Sequence, residues 1–190
     1  MHGPLLAHIA KFVALSDAEQ EILCAAIRVE TFAKKELMLR EGQHCDRHFF
    51  ILKGCCRMYI VNEKGNEQTL QFAIENWWVT DYLSVQNQAP SHFNLQATEP
   101  LTAIVMGQEI LEKLLEQIPK LERYFRLGLQ KSFGAAQMRI KFLFTMNAQQ
   151  RYENMSRAFP EFVQRVPQYM LASYLDFSPE LLSKIRAGKH

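Results

Sequence analysis

The spacing of apolar positions changes twice along this chain. Up to residue 27 it is helical, and it predicts two short amphipathic helices over residues 5–12 and 17–27. Ser16 is placed to cap the second helix, and Glu19, at the third helical position, completes a capping box. From Arg28 the apolar residues gather in short runs at 31–33, 36–39, 48–52, 56–61, 68–73, 77–82, 93–97 and 101–106. About eight strands at this spacing predict a compact antiparallel barrel or jelly roll, turning at Gly42, Gly54 and Gly65. Residues 62–66 (NEKGN), between two alternating runs, predict a hairpin loop. Helical spacing returns at 108–117, stops before Pro119, and then holds over 120–146. In that long helix Leu121, Phe125, Leu129, Phe133, Ala136, Ile140 and Leu143 form one stripe expected to be buried. Gly128, Ser132 and Ala135 form a stripe of small residues beside it, where a second helix can pack closely.

Asn147 is a suitable cap for a helix over 148–158, which leads through Pro160 to residues 167–186, PQYMLASYLDFSPELLSKIR. Pro167 suits the first position of a helix running to about residue 175. Asp176 breaks it and is required to take a left-handed conformation. Ser178 then caps a second helix that has Pro179 at its first position and Glu180 at the positive end of the helix dipole. Leu171, Leu175, Phe177, Leu182 and Ile185 are spaced to share one small core, and Ala172 is small where two helices cross. This is the grammar of a helix-turn-helix. Ser178, Glu180, Ser183, Lys184 and Arg186 fall on the exposed face of its second helix, with side chains suited to phosphates and base edges. Gln168 and Tyr169 are placed to contact the nucleic-acid backbone.

Composition narrows the function. A chain of 190 residues, 48% of them hydrophobic, has room for one large core and a small satellite. No window approaches a membrane span of roughly 20 apolar residues, and the expected location is the cytoplasm. Cys24, Cys45, Cys55 and Cys56 form no CxxC pair and read as reduced, mostly buried thiols. His44 and His48 lie near Cys45 and Asp46, but their spacing offers no tetrahedral metal set. No nucleophile–base signature or phosphate loop occurs, so neither an enzyme nor a cofactor is expected. The net charge of +2 is unevenly spread. Residues 1–119 carry 10 Lys or Arg against 15 Asp or Glu, a balance of −5, whereas residues 120–190 carry 12 against 5, a balance of +7. The basic part is the part with the helix-turn-helix, which points to double-stranded DNA as a partner.

The stretch REGQHCDRHFFILKGCCRMYIVNEKGNEQTLQF resembles the first part of the cyclic-nucleotide-binding β-roll. Followed by a long helix and a helix-turn-helix, it resembles the Crp/Fnr family of bacterial transcription factors over nearly the whole chain. The resemblance implies an α+β fold of three parts: a sensory antiparallel β-roll with flanking helices over 1–118, a dimerising central helix over 119–146, and a DNA-binding helix-turn-helix domain over 147–190. It also implies a homodimer, with Phe125, Gly128, Leu129, Ser132 and Ala135 at the interface. In members that bind cyclic AMP, a Gly-Glu pair holds the ribose and an Arg-Ser or Arg-Thr pair neutralises the phosphate. Those places correspond here to Thr80 and Asp81, and to Ser91 and His92. The arginine is absent, so the effector pocket reads as degenerate: cyclic AMP is not the expected effector, which leaves an unknown small molecule, a protein or no effector at all. Trp77, Trp78, Tyr82 and Phe93 are expected to fill the roll's core. Family members commonly continue into a β-hairpin wing after the second helix; here the sequence ends at residues 187–190, leaving Lys184, Arg186 and Lys189 to supply phosphate contacts. The alternative is a ligand-sensing or scaffold protein whose helix-turn-helix serves protein interaction.

Overall fold

The chain begins with α1 (Gly3–Ala10) and α2 (Asp17–Ala26), and the capping box of α2 is present: Ser16 Oγ accepts from the Glu19 amide while Glu19 accepts from the Ser16 amide. Eight strands follow: β1 (Arg28–Phe32), β2 (Leu37–Leu39), β3 (Arg47–Lys53), β4 (Cys56–Val61), β5 (Glu67–Ala73), β6 (Trp78–Val79), β7 (Asn94–Ala97) and β8 (Leu101–Gly107). They form two four-stranded sheets, ordered β1-β8-β3-β6 and β2-β7-β4-β5. α3 (Tyr82–Asn87) separates β6 from β7, and α4 (Gln108–Gln117) and α5 (Lys120–Thr145) follow β8. α6 (Ala148–Ala158), α7 (Pro160–Arg165), α8 (Gln168–Tyr174) and α9 (Pro179–Arg186) end the fold. This computed structural model describes residues 2–188, so Lys189 lies outside the described residues. It separates into two compact units. The first comprises the chain up to Met58 together with Phe72–Gln130, and the second comprises Tyr59–Gln71 together with the chain from Lys131.

The first unit is organised by β3 and β8, which pair antiparallel from Arg47↔Gly107 to Ile51↔Ala103. Alternate residues of a strand point to opposite faces. Phe49, Ile51, Ala103 and Val105 therefore enter the core between the sheets, with Leu95, Ala97 and Leu101. Phe50, Ile104 and Met106 face the other way, into a second core with Leu5 and Ile9 of α1, Leu23 of α2, Leu111 and Leu114 of α4, and Leu121 and Tyr124 of α5. Both faces are covered, which is why these strands read as unbroken apolar runs rather than as alternating ones. Tyr124 carries a hydroxyl into the helical core, and it is partnered: Trp78 Nε1 donates to its oxygen at 2.9 Å, and His8 Nδ1 lies 2.8 Å away.

Three expectations change. The run at 77–82 is strand only at Trp78–Val79, because the Asp81 carboxylate accepts from the amides of Leu83 and Ser84 and starts α3 there. Of the four aromatics expected to fill the roll's core, Phe93 packs against it, whereas Trp78 packs against the helical core on the other face. Trp77, just before β6, and Tyr82, at the start of α3, stand 43% and 49% exposed. The apolar stripe of α5 is the third. Leu121 is buried and Phe125 half-buried, but Leu129, Phe133, Ala136 and Ile140 are exposed. Among the described residues none covers that face at these four positions, and Leu143 is half-buried.

In the second unit, the 62–66 loop closes as expected, with Asn62 Oδ1 accepting from the amides of Lys64 and Asn66. Asn147 and Gln150 form a second capping box at the start of α6. No helix among the described residues is long and apolar enough to cross a membrane.

Gly54 and Gly65 both adopt positive φ, at 100° and 78°, but their surroundings differ. A Cβ at Gly54 would lie 2.7 Å from the Pro100 carbonyl oxygen and 2.8 Å from Leu101 Cα, while one at Gly65 meets open space. Gly65→Ala is expected to cost about 1 kcal/mol, the ordinary penalty of a left-handed alanine. Gly54→Ala adds a backbone clash, and a loss above about 3 kcal/mol is expected in chemical denaturation.

Candidate nucleic-acid interface and effector cassette

The helix-turn-helix is built as its sequence requires, with one adjustment at its start. Pro167 is the N-cap of α8 rather than its first residue, because its ψ of 135° is extended. Asp176 is left-handed, with φ 60°, and this lets the Phe177 amide reach back to the Ala172 carbonyl at 3.1 Å. Chain direction reverses there, and α9 starts at Pro179, with Ser178 Oγ accepting from the Leu181 amide at 3.2 Å. Leu171, Ala172, Leu175, Leu182 and Ile185 are buried together with Met170, a small core that holds the two helices. Phe177 is half-buried, and the Arg151 guanidinium sits 5.8 Å from its ring centroid. Arg151 also donates to the carbonyls of Leu143 and Met146 at the end of α5 and of Asp176 at the turn, which gives those unpaired carbonyls a cationic partner.

The residues expected to meet nucleic acid are all exposed: Gln168 and Tyr169 on α8, Ser178 at the cap, and Glu180, Ser183, Lys184 and Arg186 on α9. Ser178 Oγ is occupied as an acceptor by its capping bond but keeps its hydroxyl proton to donate. Glu180 is held below the usual carboxylate range, first by its own backbone amide and then by Ser178, so it is an acceptor at neutral pH. Leu181, which sequence reasoning passed over, is 40% exposed beside them. Its only sequence signal is that the helical stripe through Leu182 and Ile185 leaves it at the margin of the core.

The four cassette positions do not act together. Thr80, Asp81 and Ser91 are buried and already partnered, whereas His92 is exposed and outside the cluster. Thr80 Oγ1 donates to the Arg47 carbonyl at 2.9 Å. Asp81 Oδ1 accepts from the first amides of α3, and Oδ2 accepts from Ser91 Oγ at 2.7 Å. Ser84 Oγ accepts from the Cys45 amide at 2.9 Å, and the backbone of Ser91 is bonded to Gly42 and Gln43. The acceptors and donors that would grip a sugar are therefore spent on one another. A cleft lined by Gln43, His44, Cys45 and Arg47 opens nearby. Its arginine faces Glu30 at 3.4 Å. His48 Nε2 lies 2.6 Å from Gln108 Oε1, and burial lowers the imidazole's pKa. Among the described residues no group of three His, Cys, Asp or Glu side chains is arranged to hold a metal ion.

Comparison with known proteins fits this geometry. Residues 29–118 match the cyclic nucleotide-binding domain family. The anaerobic regulatory protein of Haemophilus influenzae is 24% identical over 169 residues, which covers 83% of this chain and 65% of that protein. The global nitrogen regulator of Nostoc sp. is 28% identical over 117 residues, covering 60% of this chain and 52% of that protein. The chain thus spans less than two thirds of the length of either curated relative. Among solved structures, FixK2 from Bradyrhizobium japonicum superposes with a TM-score of 0.71 at 14% identity, covering 85% of this chain and 83% of that one.

Proposed function

We propose that this chain, which belongs to the Crp/Fnr family, is a sequence-specific DNA-binding transcriptional regulator that works as a homodimer and does not use cyclic AMP as its effector. The observation that carries this reading is the exposed polar face of α9, presented by a helix-turn-helix whose turn depends on the left-handed Asp176. Within it, Ser178 positions the helix on a phosphate, and Gln168, Tyr169 and Arg186 add backbone contacts. Glu180 and Lys184 lie four residues apart on the open face. An ionised Glu accepts from the cytosine amino group and Lys donates to guanine, so together they read base edges. The +7 balance of residues 120–190 supplies the non-specific attraction.

Dimerisation follows from α5. Leu129, Phe133, Ile140 and Phe144 are 50, 63, 53 and 86% exposed along one face of the helix. Such a face is covered when a second copy packs across a twofold axis. Phe125, Gly128, Leu129, Ser132 and Ala135 belong to this interface, with Phe133 and Ile140 added to them. In this reading residues 1–118 are the sensory roll, 119–146 the dimerisation helix and 147–190 the DNA-binding domain.

The cassette argues against cyclic AMP on two counts. No arginine stands where the cyclic phosphate would be neutralised, and Asp81 already has its bonds filled from α3 and Ser91. A buried phosphate without a charge-assisted partner is costly. Millimolar cyclic AMP or cyclic GMP is expected to leave the melting temperature unchanged, whereas a ligand at a hundred times its Kd stabilises by about 2.7 kcal/mol. A clear rise abolished by Asp81→Ala would show that the roll binds nucleotides. For DNA, anisotropy titrations with duplexes from the region upstream of the gene are expected to show salt-dependent binding. Lys184→Glu should weaken it by about 1 to 3 kcal/mol if it makes a specific base contact. An unchanged isotherm at low salt would rule out this placement of α9.

A further inference from the structure

β5 is the edge strand of its sheet, so the outward backbone groups of its first residues need partners from elsewhere. They find them on α8. Ser173 Oγ accepts from the Thr69 amide at 2.8 Å and donates to the Glu67 carbonyl at 2.9 Å, which is what a neighbouring strand residue would have done. The Gln68 side-chain amide donates to the Ser173 carbonyl. A third element closes the group. From α5, Arg139 Nη2 donates to the Tyr174 carbonyl at 2.9 Å and lies 3.5 Å from the Thr69 carbonyl, with its guanidinium 4.5 Å from the Tyr174 ring centroid. The last carbonyls of a helix lack intrahelical partners, and a cation is the group that best satisfies them. The clamp is nevertheless incomplete, since Arg139 Nε and Thr69 Oγ1 are buried there without a protein hydrogen-bond partner.

We infer that Ser173 and Arg139 are positioning residues for DNA recognition: together with the β4–β5 hairpin they fix the α8–α9 pair in one orientation on α5. This rests on the DNA-binding reading above. None of these residues is on α9, so they do not read bases themselves. Their effect is on geometry. If α5 is the twofold contact, a fixed angle between α5 and α8 fixes the separation of the two recognition helices, and only one spacing of half-sites is then read well. Helix propensity does not call for serine at the end of α8, where alanine would be better. The reciprocal bonds to Glu67 and Thr69 supply the reason for it.

The test uses the full chain and the variants Ser173→Ala, Gln68→Ala and Ser173→Thr, the last restoring the hydroxyl. Hydrogen exchange at the Thr69 amide reads the clamp directly. Exchange is expected to be about tenfold faster in Ser173→Ala, the equivalent of one hydrogen bond, and to return towards the wild-type rate in Ser173→Thr. Affinity is then measured on a duplex selected by the wild type from a random pool, at the selected half-site spacing, with one base pair inserted, and on a single half-site. The wild type should lose most of its bivalent advantage on insertion, about a hundredfold. Ser173→Ala and Gln68→Ala should lose less than about tenfold while binding the single half-site as the wild type does, a pattern that general destabilisation does not produce. A variant with faster Thr69 exchange that keeps the full insertion penalty overturns the positioning role alone. A wild type that enriches no duplex overturns the DNA reading and the positioning role together.

Discussion

The antiparallel pairing of β3 with β8 is the constraint on which the first unit depends. Because neighbouring residues of a strand face opposite ways, this one ladder commits Phe49 to the core between the sheets and Phe50 to the helical core. A slip of one residue would exchange the two sets and mismatch the packing of both cores. The helical core in turn fixes the start of α5, through Leu121 and Tyr124, with the Tyr124 hydroxyl bonded to Trp78. The same ladder therefore closes the roll and seats the helix that leads out of it.

That helix is 26 residues long, and on its apolar face Leu129, Phe133, Ile140 and Phe144 are exposed. Burying side chains of this kind is worth about 1.5 to 3 kcal/mol each relative to leaving them in water. Four of them along one face are the main reason for proposing a second copy as the missing partner. In the second unit the end of α5 is tied to the turn of the helix-turn-helix by Arg151, and its middle is tied to the end of α8 by Arg139. Both arginines work by meeting carbonyls at helix ends and at the turn, so the helix-turn-helix is held through polar contacts as well as through apolar packing.

Much of this was legible in the residues. Eight apolar runs became eight strands, and Ser16, Asn147 and Ser178 cap where their spacing requires. These features depend on local chemistry, which a sequence carries in full. What failed or was missed depends on what comes near in space. The pattern of α5 showed an apolar face but could not say what covers it. Asp81 was weighed as a ligand group, although its nearest acceptor role was the start of α3 two residues on. Ser173 and Arg139 gave no signal, because the backbone groups that they satisfy at Glu67, Thr69 and Tyr174 become neighbours only after folding.

The claim that joins these parts is a twofold dimer reading DNA through α9, and sedimentation of the protein with a duplex enriched from a random pool tests it most directly. The account predicts two 22.1 kDa chains per duplex and an enriched sequence with inverted half-sites centred about one helical turn apart. One chain per duplex, or an enriched sequence without twofold symmetry, would contradict it.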